Sequence, residues 1–207
     1  MKILYTGFQP FAGEATNPSC DALQLLPTTI PGAEVIRLEL PTAFAGGPQA
    51  LLTALRRHRP DCVICVGQAG GRNAVTPEFV AINHCDARIP DNDGDQPKDK
   101  RIDEDGPAAY FTKLPVRRIV ERCRAQGIPA DVSYTAGTYV CNALMYSLLR
   151  AVELEFPGMI AGFIHVPFSP AQAAAHVRPE PSMALGTMAE ALRIAGEESL
   201  AESKRII

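Results

Sequence analysis

The chain has 207 residues, of which 46% are hydrophobic, and a formal net charge of -3 with a pI near 5.8. This length suits one α/β domain and no composition break divides it, so a single domain over residues 1–207 is predicted. The dispersed charge lacks the basic footprint of a nucleic-acid-binding protein. No apolar run is long enough for a membrane span or a signal peptide, which predicts a cytoplasmic protein that binds neither nucleic acid nor membranes.

The six cysteines lack the short, loop-rich spacing of a secreted disulfide scaffold, which favours reduced thiols. Cys62 and Cys65 form a C-x-x-C pair that invites a redox or zinc interpretation. However, they lie in an apolar run typical of a buried strand, where residues three apart point to opposite faces. No second Cys or His pair has zinc spacing either. Both are therefore predicted to be core residues, and no metal or cofactor is expected.

The amino-terminal part begins with a predicted buried strand at Ile3–Tyr5 that leads into a loop. Phe8 and Phe11 in this loop either plug the edge of the core or line a pocket for a flat ligand, and by themselves they favour the plug. Asn17 and the following Pro-Ser then favour the start of a short helix.

Alternating residues over 34–40 predict a second strand, and Pro48 favours the start of a helix that ends before Pro60. The buried strand that follows is predicted over 62–67. After it comes a glycine-rich turn from Gln68 to Arg72, without the spacing of a phosphate-binding loop. Loops at strand ends hold most ligand contacts in α/β sheets, so Gln68 and Arg72 are candidate binding residues.

Glu78 lies in a strand-like run over 76–83, where a solvated edge position is the ordinary interpretation. The acidic residues over 86–95 do not match the ligand spacing of a calcium loop, so a solvated, turn-rich segment is predicted there. Further along, a helix is predicted over 116–123, a strand over 132–135 and a strand over 159–168. An Ala- and Pro-rich connector over 171–181 precedes a last helix.

Cys141 begins a predicted helix that runs through Val152. Unpaired N–H groups and the positive end of the helix dipole favour a thiolate there, although a small buried hydrophobe is the common alternative. His165 lies near the end of a buried strand, where a core histidine is the alternative. Parallel strands bring distant residues to one edge, so Glu78, Cys141 and His165 are the parts of an orienter, nucleophile and base triad.

Ordered motifs along nearly the whole chain resemble the pyroglutamyl peptidase I (pyrrolidone-carboxylate peptidase) family of cysteine peptidases. The motifs that carry the resemblance are Thr6–Gly13 with Asn17–Ser19, Gly67–Arg72 with Thr76–Asn83, Asp86–Asn92, Asp105–Pro107, Ser133–Asn142 and Phe163–Pro167.

The resemblance implies a three-layer α/β/α sandwich with a mostly parallel mixed sheet. It implies an exopeptidase that removes N-terminal pyroglutamate from peptides, needs no metal or cofactor, and assembles as a homotetramer. Cys141 is then the nucleophile, His165 the general base and later acid, and Glu78 the group that orients the imidazole. Arg88 corresponds to an arginine near the oxyanion site. The substrate-binding residues implied are Phe8, Phe11, Asn17, Gln68, Ile89, Tyr139 and Val140.

Four positions depart from the family pattern, since Gln9 replaces a usual Asp, Ala12 a usual Gly, and His84 and Cys85 a commonly apolar pair. If Ala12 adopts a positive φ, the pocket loop is strained or rearranged, which would affect affinity more than chemistry. A non-catalytic relative that binds pyroglutamyl peptides is therefore the alternative hypothesis. The intact set of Glu78, Cys141 and His165 argues against it.

Overall fold

The computed structural model describes residues 1–206, with side chains described for residues 1–202. A six-stranded sheet forms its centre, and a two-stranded sheet lies beside it. The strands are β1 (Lys2–Phe8), β2 (Thr29–Ile30), β3 (Ala33–Leu40), β4 (Cys62–Gln68), β5 (Thr76–Pro77), β6 (Val80–Ile82), β7 (Ala109–Phe111) and β8 (Ile160–Val166).

The main sheet has the strand order β2-β3-β1-β4-β8-β5. Its four inner strands pair in parallel, while β2 and β5 are antiparallel at the two edges. The strand β4 lies between two neighbours with both faces covered, which explains its continuous apolar sequence. The mostly parallel mixed sheet is therefore confirmed.

Helices cover both faces of this sheet and bury a separate core on each side. On one face, α1, α3 and α6 pack against alternate strand residues, and on the other α2 and α4 do so. Cys62 belongs to the first core and Cys65 to the second, as the strand geometry predicted. The helices are α1 (Pro18–Gln24), α2 (Gly46–His58), α3 (Val116–Ala125), α4 (Val140–Leu154), α5 (Pro170–Ala175) and α6 (Leu185–Ile206).

Two predicted strands differ in the structure. The segment 132–135 is not a strand, because Ser133 makes only a single bridge to Glu78, beyond the end of β5. The run 76–83 is divided between β5 of the main sheet and β6 of the small sheet. Pro77 has no N–H to donate, which is typical of a short edge strand.

Two segments that were predicted to be loops are more regular in the structure. The connector over 171–181 contains the short helix α5, which begins at Pro170. Within the acidic segment over 86–95, buried Asp91 accepts hydrogen bonds from the backbone N–H groups of Phe44, Asp93 and Asp95 at 2.7–2.9 Å. This carboxylate organises the loop backbone. Among residues 1–206, no helix combines the length and apolarity needed to cross a membrane.

Candidate active site

Glu78 and His165 come together because β5 and β8 are antiparallel neighbours. Thr76 lies opposite His165, and Glu78 N donates to Phe163 O at 2.9 Å. Side chains alternate between faces, so those of Glu78, Phe163 and His165 lie on one face of the sheet. Phe163 belongs to the core beneath α2 and α4. On this face, His165 Nδ1 is 2.7 Å from Glu78 Oε1.

This pair is buried, with Glu78 at 0% exposure and His165 at 4%. The solvated-edge interpretation of Glu78 is therefore wrong. An ionised carboxylate only accepts hydrogen bonds, so Glu78 holds the proton of a neutral imidazole on Nδ1 and leaves Nε2 as an acceptor. His165 Nε2 is thus the nitrogen available for proton exchange with a substrate or nucleophile.

Arg72 is a second partner of the same carboxylate. Its Nη1 lies 2.7 Å from Glu78 Oε1 and 2.5 Å from Thr76 Oγ1, and its Nη2 lies 3.3 Å from Thr135 O. Burial opposes ionisation of Glu78, but hydrogen bonding and charge from His165, with a further hydrogen bond from Arg72, hold the pKa of this carboxyl below its usual range. Glu78 is therefore an anion at neutral pH.

Cys141 is the second residue of α4 and is half-buried, whereas the other five cysteines are buried. Its sulfur lies against Gly67 of β4, where a Cβ would be 3.0 Å from Cys141 Sγ and 2.7 Å from the ring of Phe163. Gly67 is also the residue paired with His165 in the neighbouring strand. A glycine at position 67 thus lets the cysteine sulfur approach the sheet beside His165.

Burial opposes the thiolate that the start of α4 favours. Burial raises the pKa of the Cys141 thiol to about 12, and the negative charge of Glu78 adds to the rise. The charge of Arg72 and the N–H of Cys141 itself lower the pKa, but they do not compensate for burial. In this balance desolvation outweighs the effect of the helix start, so the raised pKa favours the thiol form.

A cavity of about 470 Å³ lies beside Gln68, and none of Glu78, Cys141 and His165 is among its lining residues. Gln68, which follows Gly67 directly, lines it together with Phe11, Arg88 and Ile89, so four of the residues predicted for the substrate or oxyanion site lie around one space. The remaining lining residues are Ala12, Glu14, Gly70, Gly71, Phe168 and Glu180.

The other predicted binding residues lie outside this lining. Phe8 and Val140 are buried at 2% and 1% exposure in the core beneath α2 and α4. Asn17 is also buried, and its side chain accepts from Ser19 N at 3.1 Å at the start of α1 and donates to Gln9 O at 3.1 Å. A substrate contact through the Asn17 amide is therefore not supported by this geometry.

Tyr139 supports the cavity wall from behind. Its ring packs on Phe11 with ring centroids 6.1 Å apart and on Phe44 at 5.4 Å. Its hydroxyl donates to Pro90 O at 3.0 Å, one residue from Ile89. Tyr139 thus connects the two loops that carry Phe11 and Ile89.

The loop that carries Phe11 has a positive φ at Ala12, which is the conformation expected to strain the loop. Ala12 has φ of 55° and the next residue, Gly13, has φ of 82°. A left-handed conformation is unfavourable for alanine, so the replacement of the usual glycine places strain next to Phe11.

Two residues of the site were not given a role from the sequence. Arg72 was a candidate only because its loop follows a strand. Gln172 was assigned to a connector, although Ser169 and Gln172 have the S-x-x-Q spacing of a capping box and form one in the structure. That spacing was the available signal for helix α5. Nothing in the local sequence indicated that Gln172 would contact Gln68 or that Arg72 would contact Glu78.

The chain is similar to known proteins in both sequence and fold. The sequence model of the pyroglutamyl peptidase family matches residues 1–202. The chain is 53% identical over 172 residues to a pyrrolidone-carboxylate peptidase of Enterococcus faecalis, covering 83% of this chain and 81% of the relative. The crystal structure of pyroglutamyl peptidase I from Bacillus amyloliquefaciens is similar with a TM-score of 0.94, 46% identity and 98% coverage of both chains. Pyrrolidone carboxyl peptidase from Pyrococcus furiosus is similar with a TM-score of 0.95 and 38% identity, covering 98% of this chain and 100% of that one.

Proposed function

This chain belongs to the pyroglutamyl peptidase family, and we propose that it is a cysteine exopeptidase that releases N-terminal pyroglutamate from peptides. The observation that carries the proposal is the buried 2.7 Å contact between His165 Nδ1 and Glu78 Oε1. It lies on the sheet face where the Cys141 sulfur rests against Gly67. A nucleophile, a base and an orienting carboxylate are the groups that acyl transfer through a thioester requires.

The first half of the reaction forms the thioester. His165 Nε2 takes the proton of the Cys141 thiol as the sulfur attacks the pyroglutamyl carbonyl carbon. Glu78 stabilises the resulting imidazolium. The negative charge on the carbonyl oxygen is stabilised by backbone N–H groups in the first turn of α4, including that of Cys141, and by Arg88. The imidazolium then protonates the leaving amine, and the peptide that begins with it departs.

The second half regenerates the enzyme. Water enters the place that the amine has left, and His165 removes its proton as the oxygen attacks the thioester carbonyl. The tetrahedral intermediate collapses, the C–S bond breaks, and the proton on His165 returns to Cys141. Free pyroglutamate is released.

The cavity beside Gln68 suits the pyroglutamyl ring, which is flat, small and uncharged, with one N–H and one carbonyl. Phe11 and Ile89 supply apolar walls, and Gln68 supplies an amide. A site that hydrogen-bonds the ring carbonyl rejects proline, because proline lacks this oxygen and a polar group of the site would remain unpaired. Phe8, Tyr139 and Val140 act as the supporting layer behind these contacts.

The proposal is tested by the release of a chromophore from a pyroglutamyl amide. The wild type and Cys62→Ser should be active, while Cys141→Ser should lose at least about a hundredfold in kcat. Activity that survives in Cys141→Ser would contradict the assignment of the nucleophile. A wild type without activity would favour the alternative, a non-catalytic relative that binds pyroglutamyl peptides, and loss of activity in Cys62→Ser with unchanged stability would revive a role for the C-x-x-C pair.

We also infer that residues 1–207 form a single catalytic domain that works in the cytoplasm, where thiols remain reduced, and that it assembles as a homotetramer. The tetramer comes from the family resemblance. An apolar surface group supports subunit contact: Phe111 and Tyr134 are 63% and 59% exposed and pack on Phe79 with centroids 5.4 and 5.5 Å away. Sedimentation equilibrium measures the oligomeric state, and a monomer at micromolar concentration would contradict the assembly.

A further inference from the structure

The side chain of Gln172 forms several hydrogen bonds that connect α5 to the wall of the candidate substrate cavity. It is the third residue of α5 and is 5% exposed. Its Oε1 accepts from Ser169 N at 3.1 Å. Its Nε2 lies 2.9 Å from Gln68 Oε1, 3.2 Å from Thr16 O and 3.3 Å from Glu14 Oε2.

The orientation of the Gln172 amide is determined by partners whose hydrogen-bonding roles are fixed. The backbone N–H of Ser169 can only donate, so the side-chain oxygen of Gln172 must face it. The backbone carbonyl of Thr16 and the carboxylate of Glu14 can only accept, so the NH₂ group must face them. A reversed amide would place oxygen against two acceptors and NH₂ against a donor.

This orientation determines that of Gln68 in turn. The NH₂ group of Gln172 requires an acceptor, so the Gln68 amide presents its oxygen to Gln172. The Nε2 of Gln68 makes no hydrogen bond to any residue from 1 to 202, and it is not among the buried atoms without a partner. Gln68 therefore offers a free N–H donor at the wall of the cavity that it lines with Phe11 and Ile89.

We propose that Gln172 is a specificity-determining positioning residue, which holds Gln68 as a hydrogen-bond donor for the ring carbonyl of the pyroglutamyl group. The inference rests on the proposed function. Gln172 does not touch the substrate; it acts by preventing the Gln68 amide from turning its oxygen toward the cavity, where two carbonyl oxygens would repel each other. The contacts of Gln172 with Thr16 and Glu14 also connect α5 to the segment that follows the Phe11 loop.

Gln172→Glu is the sharpest test because it keeps the shape and the oxygen that accepts from Ser169 N. The second carboxylate oxygen only accepts, so it favours a reversed Gln68 amide, with the NH₂ group toward the introduced carboxylate and the oxygen toward the cavity. We expect kcat/KM for a pyroglutamyl amide to fall roughly 10–100-fold, mainly through KM. Inhibition by 2-pyrrolidinone, which has the same ring carbonyl but no scissile bond, should weaken by a similar factor.

Gln172→Met covers the case in which the glutamate variant fails to fold. It removes the donor without adding an acceptor, so Gln68 is free to rotate and the loss should be intermediate, on the order of 3–10-fold in KM. The matched control is Ser169→Ala, which removes the hydroxyl that accepts from Gln172 N at 3.2 Å but leaves the Ser169 backbone N–H in place. It should lower the melting temperature while KM and 2-pyrrolidinone inhibition stay within about twofold of wild type.

The outcomes separate this proposal from the proposed function. A wild type that releases nothing from a pyroglutamyl amide contradicts the proposed function. An active wild type with unchanged KM and unchanged 2-pyrrolidinone inhibition in both Gln172 variants overturns the positioning role. A KM effect in Ser169→Ala as large as that in Gln172→Met would also overturn it, because stability of α5 would then explain the result.

Discussion

Arg72 Nη1 lies 2.7 Å from Glu78 Oε1, the same oxygen that His165 Nδ1 contacts at 2.7 Å. A guanidinium and an imidazole thus share one carboxylate oxygen in a site from which water is largely excluded. The hydrogen bond from Arg72 helps to keep Glu78 ionised, and the positive charge of Arg72 lowers the pKa of Cys141. Arg72 is therefore a positioning residue for the Glu78–His165 pair.

Replacement of Arg72 should reduce both stability and turnover. In Arg72→Met, Glu78 loses a charged hydrogen bond, which corresponds to about 1.5–3 kcal/mol of unfolding free energy. We expect a fall in kcat of roughly tenfold, equivalent to about 1.4 kcal/mol, with KM nearly unchanged. Arg72→Lys is the matched control, since it keeps the charge but not the forked geometry and should retain more activity. Equal kcat values in Arg72→Met and wild type would contradict the role.

Glu78→Gln should preserve the shape of the site but strongly reduce turnover. The amide has the size of the carboxylate but no charge, so it neither fixes the proton on His165 Nδ1 nor stabilises the imidazolium. We expect kcat to fall by on the order of 10²–10⁴, with a much smaller change in KM. Glu34→Gln, at an exposed position on β3, is the control and should behave as wild type. A kcat within threefold of wild type, as a rough threshold, would mean that Glu78 does not orient the base.

The ionisation of Cys141 can be followed by its alkylation with iodoacetamide. Because the pKa of its thiol is raised to about 12, only a small thiolate fraction exists at neutral pH. The alkylation rate should increase roughly tenfold per pH unit through the neutral and mildly alkaline range. Glu78→Gln removes a charge that raises this pKa and should accelerate alkylation at a fixed pH while it slows turnover. An alkylation rate that has already reached its plateau when the pH is raised to ~7 would instead show a preformed thiolate, as the helix-dipole argument predicts.

Ala12→Gly should relieve strain in the loop that carries Phe11. Left-handed φ costs alanine about 1–2 kcal/mol, and glycine loses part of this gain through greater freedom in the unfolded chain. We therefore expect a net stabilisation of about 0.5–1 kcal/mol, measured by denaturant unfolding. Gly13→Ala is the matched control, since it has φ of 82° and no atom within 4 Å of an added Cβ. The Gly13→Ala variant should be less stable than wild type because of its backbone conformation alone. If Ala12→Gly is also less stable than wild type, Ala12 is not strained.

Much of the fold follows from local patterns in the sequence. The continuous apolar run of β4 indicates a strand buried on both faces, and the periodicity of α3 and α4 predicts helices close to their observed bounds. The segment 132–135 has the composition of a strand but lacks a partner of sufficient length, since β5 has only two residues. Strand formation there depends on pairing, which a local pattern does not contain.

The sequence by itself determined most of the elements, the chemical types of the site residues and the family to which they correspond. Only the tertiary structure decided which side chains these residues contact, how far they are buried and how their pKa values shift. The contact between Glu78 and His165 joins positions 87 residues apart, and that between Gln172 and Gln68 joins positions 104 apart. The burial of Glu78 and Cys141, and the resulting shifts of their pKa values, depend on distances and solvent exclusion that arise only when the sheet and both helical layers have packed. The helix start favours a thiolate at Cys141, whereas burial, which only the folded structure creates, raises the pKa of its thiol.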